Sequence, residues 1–214
     1  MLPQSGRMEI EMTVIGLTGP TGSGKGKVAE ILSEYKIQHI DADAVYHNLL
    51  VPPSPCLDDI VEEFGYGVLN PGGQLDRRAL SDIVFAEHSD NKLEKLNKIT
   101  HKYVCARIRQ IIRYFESIDT DACVIDAPLL FESGLDSDCN FVICVLADSG
   151  VRAQRISQRD GMEIEQAMMR ISSQKSDNYY ADRATYTLYN NGDENELRNN
   201  ILGILKKAGL GGIV

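Results

Sequence analysis

The sequence has no apolar run that approaches the roughly 20 residues a membrane-spanning helix needs, and its N-terminus lacks the apolar stretch of a signal peptide. We therefore expect a cytoplasmic protein without a membrane partner. Basic charge is also scarce, since 31 acidic residues outweigh 22 basic ones and leave a formal net charge of −9. A nucleic-acid backbone calls for a basic surface, so we expect no nucleic-acid partner.

Cysteine gives equally little sign of special chemistry. The five cysteines are odd in number and scattered, without a Cys-x-x-Cys pair, so we expect reduced, buried thiols. At 214 residues, with 43% hydrophobic and 25% charged residues, the chain can bury one large core or a core with a small appended domain. We expect it to be a monomer.

One glycine-rich segment carries the strongest functional signal: Gly19-Pro20-Thr21-Gly22-Ser23-Gly24-Lys25-Gly26. It matches the phosphate-binding P-loop at every defining position except the last, where a hydroxyl residue is usual. The strand-like run Met12–Leu17 precedes it, and apolar residues at helical spacing follow it. In that context the N–H groups of residues 22–26 would face a polyphosphate at a helix N-terminus, and Lys25 would reach the outer phosphates.

Four further strand-like runs predict a mainly parallel sheet with helices on both faces. They are Lys36–Asp41, Ala122–Asp126, Phe141–Leu146 and Ala184–Tyr189. Ligands of such sheets bind beyond the carboxyl ends of the strands. We therefore expect the rim at that end to carry the P-loop and a set of polar residues: Asp41, Asp43, Asp126, Glu132 and Asn191.

A long insertion separates the second and third predicted strands. Its apolar residues recur at helical spacing from Leu93 to Phe115, and it is far longer than an ordinary connection. We expect a helical lobe over the rim. Its basic residues are interpreted as a solvated helix face.

A second helical stretch runs from Ser149 to Asn178 and places Arg155 and Arg159 on one helix face. Two interpretations stay open. The arginines either form an ordinary exposed face paired with nearby acids, or belong to a mobile lid whose cations stabilise a transferring phosphoryl group.

Further motifs follow the P-loop in order along the chain. They are Asp41-Ala42-Asp43, Phe64-Gly65, Leu75-Asp76-Arg77, Ile83-Val84-Phe85, Ile99-Thr100-His101, Pro128-Leu129-Leu130-Phe131-Glu132, Gln154-Arg155, Arg159-Asp160, Gln174, Ala181-Asp182 and Asn191-Gly192. With them, the chain from Met12 to Leu197 resembles the dephospho-coenzyme A kinases. The resemblance implies ATP and Mg²⁺ as cofactors, dephospho-coenzyme A as substrate, and transfer of the γ-phosphate to its ribose 3′-hydroxyl.

The resemblance also implies roles for individual residues. Asp43 would be the catalytic base, with Lys25 and Arg155 as the other catalytic residues. The implied ATP contacts are Pro20, Thr21, Gly22, Ser23, Gly24, Lys25, Gly26, Lys27, Arg155, Arg159 and Asn191. The implied substrate contacts are Thr18, Asp41, Asp43, Arg77, His101, Leu129 and Glu132. Asp41 is also the candidate for the metal's water shell. The alternative for the Asp41–Asp43 pair is a helix N-cap and a loop acid, and capping is compatible with catalysis.

We expect a three-layer P-loop kinase fold in one domain, 12–214, after a leader at 1–11 in which Met8, or else Met12 just beyond it, could be an alternative start. The P-loop core would comprise 12–43, 122–148 and 184–214, the helical acceptor-binding insertion 44–121, and the lid 149–183.

Gly26 departs from the family pattern, which has Ser or Thr at this position. Mg²⁺ would lose one protein ligand, but it usually keeps several waters and relies on substrate phosphates, so slower turnover is expected rather than an inert protein. Three other functions stay open: a kinase of another small metabolite or nucleoside monophosphate, a non-catalytic nucleotide-binding protein, and a GTPase switch, which the lack of an Asn-Lys-x-Asp run disfavours. The insertion argues against the first, and Asp43 with the lid arginines argues against the second.

Overall fold

A five-stranded sheet in the order β2-β3-β1-β4-β5 organises the structure, a computed structural model that describes residues 12–86 and 91–212. The strands are β1 (Thr13–Thr18), β2 (Gln38–Asp41), β3 (Ala122–Asp126), β4 (Phe141–Leu146) and β5 (Tyr186–Tyr189). β1 is parallel to β3 and β4, and β4 is parallel to β5. The predicted α/β fold with a mainly parallel sheet is confirmed, whereas the predicted leader at 1–11 lies outside the described residues.

Helices fill the connections between these strands. They are α1 (Lys25–Glu34), α2 (Ala42–Leu49), α3 (Pro55–Phe64), α4 (Arg77–Val84), α5 (Lys92–Ser117), α6 (Leu130–Ser133), α7 (Ser149–Asp160), α8 (Ile164–Ser172), α9 (Asp177–Ala181) and α10 (Glu194–Lys207). The helical stretch predicted from Ser149 to Asn178 is interrupted. α7 ends at Asp160, and the Gly161 that follows has a φ of 67°, a conformation that glycine adopts without strain.

The chain forms two compact units. The first runs up to Ile40 and resumes at Ile112, and the second is Asp41–Ile111. In the first, the buried side chains of β1 pack with α1 and α10 in one hydrophobic cluster, which includes Ile15, Leu17, Ile31 and Ile201. All four are fully buried, and burial of such a side chain stabilises the fold by about 1.5–3 kcal/mol. This cluster fixes the sheet from which the P-loop emerges.

The second unit has a core of its own. Cys56 and Ile60 of α3, Leu80 and Val84 of α4, and Val68 between these helices are buried together. Apolar residues of α5 pack against them, which explains the helical spacing in this part of the sequence. The unit is therefore a packed helical body, as its apolar pattern indicates.

The cysteine thiols provide a first testable prediction. All five cysteines are free, and burial raises the pKa of Cys56 to about 11 and those of Cys123, Cys139 and Cys144 to about 12. Because only the thiolate reacts, these four should react with Ellman's reagent at pH 7.5 at least roughly 100-fold more slowly than an exposed thiol. Titration before and after unfolding in guanidinium checks this, and rapid native labelling of these thiols would contradict their burial.

Candidate active site

The P-loop lies between the end of β1 and the start of α1. Its conformation needs glycine at two positions, because Gly22 has a φ of 77° and Gly24, the residue before α1, has a φ of 91°. No side chain caps the N-terminus of α1. The Lys27 N–H donates to the Gly24 carbonyl at 3.0 Å, so the N–H groups of Lys25 and Gly26 are the ones at the helix start that can reach an anion. Ser23 differs from expectation, since its N–H donates to the Pro20 carbonyl at 3.2 Å inside the loop.

The P-loop lysine is already held by a carboxylate. Lys25 Nζ forms an ion pair with Asp126 at the end of β3, and Asp126 is buried. The second oxygen, Asp126 Oδ2, lies 3.4 Å from Nε2 of His39 on β2. Asp126 therefore orients the Lys25 ammonium. The sequence placed Asp126 on the rim without assigning it a function.

The carbonyl groups of the loop are held by donors from other elements. Nη1 of Arg155 lies 3.4 Å from the Gly22 carbonyl and 3.2 Å from that of Ser23. Nη2 of the same arginine donates to the Asn190 carbonyl at 3.0 Å, and the buried Asn190 side chain donates to the Ser23 carbonyl at 2.8 Å. The structure thus brings Arg155 to the P-loop, through carbonyls. The sequence analysis assigned Asn191 to the nucleotide and missed Asn190. The two asparagines are adjacent, and nothing in the sequence distinguishes which of them contacts the loop.

Positions 26 and 27 differ in what surrounds them. A Cβ atom built on Gly26 meets nothing within 4 Å, so a side chain fits there. Lys27 pairs with Glu30 and with Glu194 of α10, each at 3.2 Å, which raises the pKa of the lysine mainly through its hydrogen bond to Glu194. The ion pairs place Lys27 in a surface network between α1 and α10.

Two other predicted ATP contacts have partners of their own. Arg159 is exposed and pairs with Asp160 at 2.7 Å, which is the ordinary arrangement left open by the sequence. Asp160 also accepts from Arg170 at 2.8 Å. Asn191 Oδ1 accepts the Asp148 N–H at 2.8 Å, so this side chain links the end of β5 to the start of α7. The hydrogen bonds of both side chains therefore run to residues outside the P-loop.

Three predicted substrate contacts lie near the ends of β1 and β3. Thr18 is buried and its hydroxyl donates to the Pro128 carbonyl at 3.3 Å. Leu129 is 46% exposed, a high value for an apolar side chain next to the site. Glu132 on α6 is exposed and its charge contributes, after burial, to raising the pKa of Tyr179. These residues surround the loop after β3, where a ligand can reach Leu129 and Glu132.

The second unit carries the remaining predicted site residues. Asp41 is the N-cap of α2, and its Oδ1 accepts the Ala44 N–H at 3.0 Å. Asp43 lies in the first turn of this helix and is exposed, so it is a helix residue rather than a loop acid. Its carboxylate is available to a ligand. The N-cap alternative describes Asp41, and capping leaves its second oxygen open for another contact.

Arg77 lies at the edge of a cavity within the second unit. The cavity has a volume of about 190 Å³, and its walls are mainly apolar: Tyr46, Leu75, Leu80, Val84, Phe85 and Leu96. Arg77 is exposed at the start of α4, and Phe85 is 68% exposed. His101 is half-buried on α5. A cation beside an apolar wall suits a ligand with both an anionic and an apolar part.

A metal requirement fits the residues at the P-loop. No group of three or more His, Cys, Asp or Glu side chains with metal-site geometry occurs in the described ranges. Mg²⁺ does not need one, because it is commonly held by one or two carboxylates together with substrate phosphates and water. The buried Asp126 carboxylate beside Lys25 is such a group.

No helix of the described residues is both long and apolar enough to cross a membrane.

A parallel sheet with a strand–P-loop–helix unit is the arrangement of P-loop nucleotide-binding proteins. The dephospho-CoA kinase family model matches residues 13–196. The chain belongs to the dephospho-CoA kinase family.

Individual relatives agree with this placement. A dephospho-CoA kinase of Symbiobacterium thermophilum is 39% identical over 187 residues, which cover 87% of this chain and 77% of the relative. One from Lactobacillus johnsonii is 33% identical over 195 residues, or 91% of this chain and 98% of the relative. A solved protein from Thermus thermophilus superposes with a TM-score of 0.74 at 27% identity, over 92% of this chain and 98% of the other. A shikimate kinase from Acinetobacter baumannii, at 14% identity and a TM-score of 0.51 over 92% of this chain and 93% of its own, shares the fold.

Proposed function

We propose that this protein transfers the γ-phosphate of ATP to the ribose 3′-hydroxyl of dephospho-coenzyme A and releases coenzyme A and ADP. The observation that carries the proposal is a P-loop whose lysine is held by Asp126, in a chain that matches the dephospho-CoA kinase family over residues 13–196. Mass spectrometry of the product and ³¹P NMR test it. A 3′-phosphomonoester is expected, and phosphorylation at any other position would overturn the proposal.

The ATP site is proposed to lie on the P-loop. The free N–H groups at the start of α1 would bind the phosphates, and Lys25 would stabilise charge on the transferring group. Arg155 contacts the Gly22 and Ser23 carbonyls of the loop, and it would therefore add positive charge beside the bound phosphates. Mg²⁺ bound with ATP would neutralise phosphate charge, and the buried Asp126 is proposed to contact its water shell together with Asp41, the candidate from the sequence.

The acceptor is proposed to bind through residues of the second unit. The exposed Asp43 carboxylate can accept the proton of the attacking hydroxyl. Phosphoryl transfer needs this proton to be removed and the hydroxyl oxygen to be aligned with the γ-phosphate. Arg77 offers a cation for the pyrophosphate of dephospho-coenzyme A, and the apolar cavity next to it can take the less polar part of that ligand. His101 and the open oxygen of Asp41 are further proposed contacts. We propose that the enzyme acts in the cytoplasm and as a monomer. Light scattering on the purified protein would test the oligomeric state by giving its mass.

Restoring a hydroxyl at position 26 should strengthen metal binding. The site has room for the new side chain, and the serine oxygen would replace one water of the Mg²⁺ shell. We expect Gly26→Ser to lower the Mg²⁺ concentration that gives half-maximal activity by about three- to tenfold, or ~0.7–1.4 kcal/mol. A Mg²⁺ titration at saturating ATP measures this.

Gly26→Ala is the matched control for that substitution. It adds the Cβ and up to about 1 kcal/mol of helix propensity but no oxygen, so it should raise the melting temperature and leave the Mg²⁺ titration unchanged. Equal Mg²⁺ titrations for the serine and alanine variants would contradict the role given to the hydroxyl.

A further inference from the structure

Arg152 is a buried arginine next to the P-loop. It lies on α7, is 3% exposed, and uses three different nitrogens. Nε donates to the Thr21 carbonyl at 2.9 Å, Nη2 to Gln174 Oε1 at 2.9 Å, and Nη1 to Asp177 Oδ1 at 3.2 Å. A buried guanidinium must keep its donors satisfied, because an unpaired charge away from water is costly. Its side chain is therefore committed to these partners.

Arg152 and Gln174 together bind both backbone polar groups of Thr21, its carbonyl and its N–H. Gln174 Oε1, which accepts from Arg152, also accepts the Thr21 N–H at 3.1 Å. The Thr21 N–H and carbonyl are thus both bound by one connected pair of side chains. Close packing supports this contact, because a Cβ atom on Gly22 would lie 2.8 Å from the Arg152 carbonyl. The start of α7 and the loop therefore have little freedom to separate.

Fixing the Thr21 carbonyl also fixes the next N–H group. In a trans peptide the carbonyl and the following N–H point in opposite directions. Because Arg152 holds the Thr21 oxygen toward α7, the Gly22 N–H is directed the other way. A carbonyl that rotated into the loop would instead place a negative dipole where phosphate binds. An anion site that is already ordered avoids that reorganisation when the ligand arrives.

We propose that Arg152, acting with Gln174, is a positioning residue that holds the P-loop peptides in the phosphate-binding orientation and thereby sets the affinity for ATP. Arg152 is buried and its guanidinium is bonded to Thr21, Gln174 and Asp177, so it acts through the Thr21 peptide rather than on the phosphates. This inference rests on the proposed ATP site but not on the acceptor. It also ties Gln174, in the connection between α8 and α9, and Asp177, the first residue of α9, to nucleotide binding.

The test compares Arg152→Met with Arg170→Met. Both remove a guanidinium from the segment 149–183, but Arg170 is exposed and bonds to Asp160 rather than to the loop. For Arg152→Met we expect the Kd for ATP, measured by calorimetry below the melting temperature, to rise about 10- to 30-fold. The KM for dephospho-coenzyme A should stay unchanged, and Arg170→Met should match wild type in both. Equal ATP affinities for the two variants would overturn the proposal.

Gln174→Met keeps the test decisive where Arg152→Met fails to fold. Gln174 is exposed, so its replacement should not unfold the chain, and we expect the Kd for ATP to rise roughly three- to tenfold. Where both single variants fold, the double variant should bind ATP more tightly than the product of the two losses predicts, because the residues share partners. An unchanged Kd in Gln174→Met would contradict the positioning role. Wild-type protein that bound no ATP would instead contradict the proposed function itself.

Discussion

Asp43→Asn is expected to lower kcat by a factor of about 10²–10⁴, the usual contribution of a positioned general base. The amide keeps the size and much of the hydrogen bonding of the carboxylate but cannot accept the hydroxyl proton. Asp43 is exposed in the first turn of α2, so its loss should not disturb the fold. The KM for ATP should change little, because Asp43 is proposed to contact the hydroxyl of the acceptor and not the nucleotide.

Two control substitutions separate catalysis from helix effects. Asp58→Asn removes a comparable exposed acid from the first turn of α3 and should leave kcat at the wild-type value. Asp41→Asn preserves N-capping, since asparagine caps as well as aspartate, and so isolates any contact made by the second oxygen of Asp41. Near wild-type turnover by Asp43→Asn would show that another group takes the proton.

Lys25→Met is expected to lower kcat by about 10²–10³, in line with the loss of one preorganised group that stabilises transition-state charge. The lysine is the cation that the P-loop offers to the outer phosphates, and Asp126 holds it in place before the nucleotide binds. Lys27→Met is the matched control. Its ammonium is engaged with Glu30 and Glu194 on the surface, so activity should be close to wild type.

Stability must be separated from catalysis for the lysine variant. Removing one partner of a buried ion pair leaves the other charge uncompensated and can cost several kcal/mol. The double variant Lys25→Met with Asp126→Asn removes both charges and should recover much of the melting temperature while remaining inactive. Recovery of activity together with stability would mean that Lys25 has only a structural role.

The strands show how far periodicity can define a fold. The bounds of β3 and β4 were predicted correctly, because both are continuously buried and read as uninterrupted apolar runs. The outer strands β2 and β5 begin two residues later than predicted, at Gln38 and Tyr186. Each has a mixed burial pattern, which weakens the signal at its ends. The P-loop could also be predicted from the sequence, because its glycines and its lysine lie within one segment of the chain, Gly19–Gly26.

The partners of the site's charged residues could not be read from the sequence. The chain offers Arg152, Arg155 and Arg159 at three- and four-residue spacing, yet one is buried, one is half-buried and one is exposed. The environments of Arg152 and Arg155 depend on contacts with a loop about 130 residues earlier, whereas Arg159 pairs with the adjacent Asp160. The same holds for Lys27, whose partner Glu194 lies on the last helix. Local patterns identify such residues as candidates, and only tertiary contacts assign them.

The most direct test measures ADP release by the wild-type protein with ATP, Mg²⁺ and a panel of acceptors. The account predicts rapid, acceptor-dependent release with dephospho-coenzyme A and only background release with adenosine, nucleoside monophosphates or shikimate. Asp43→Asn run beside the wild type should reduce the acceptor-dependent part by a factor of about 10²–10⁴. Release that is equal with and without dephospho-coenzyme A, or faster with a nucleoside monophosphate, would contradict the account.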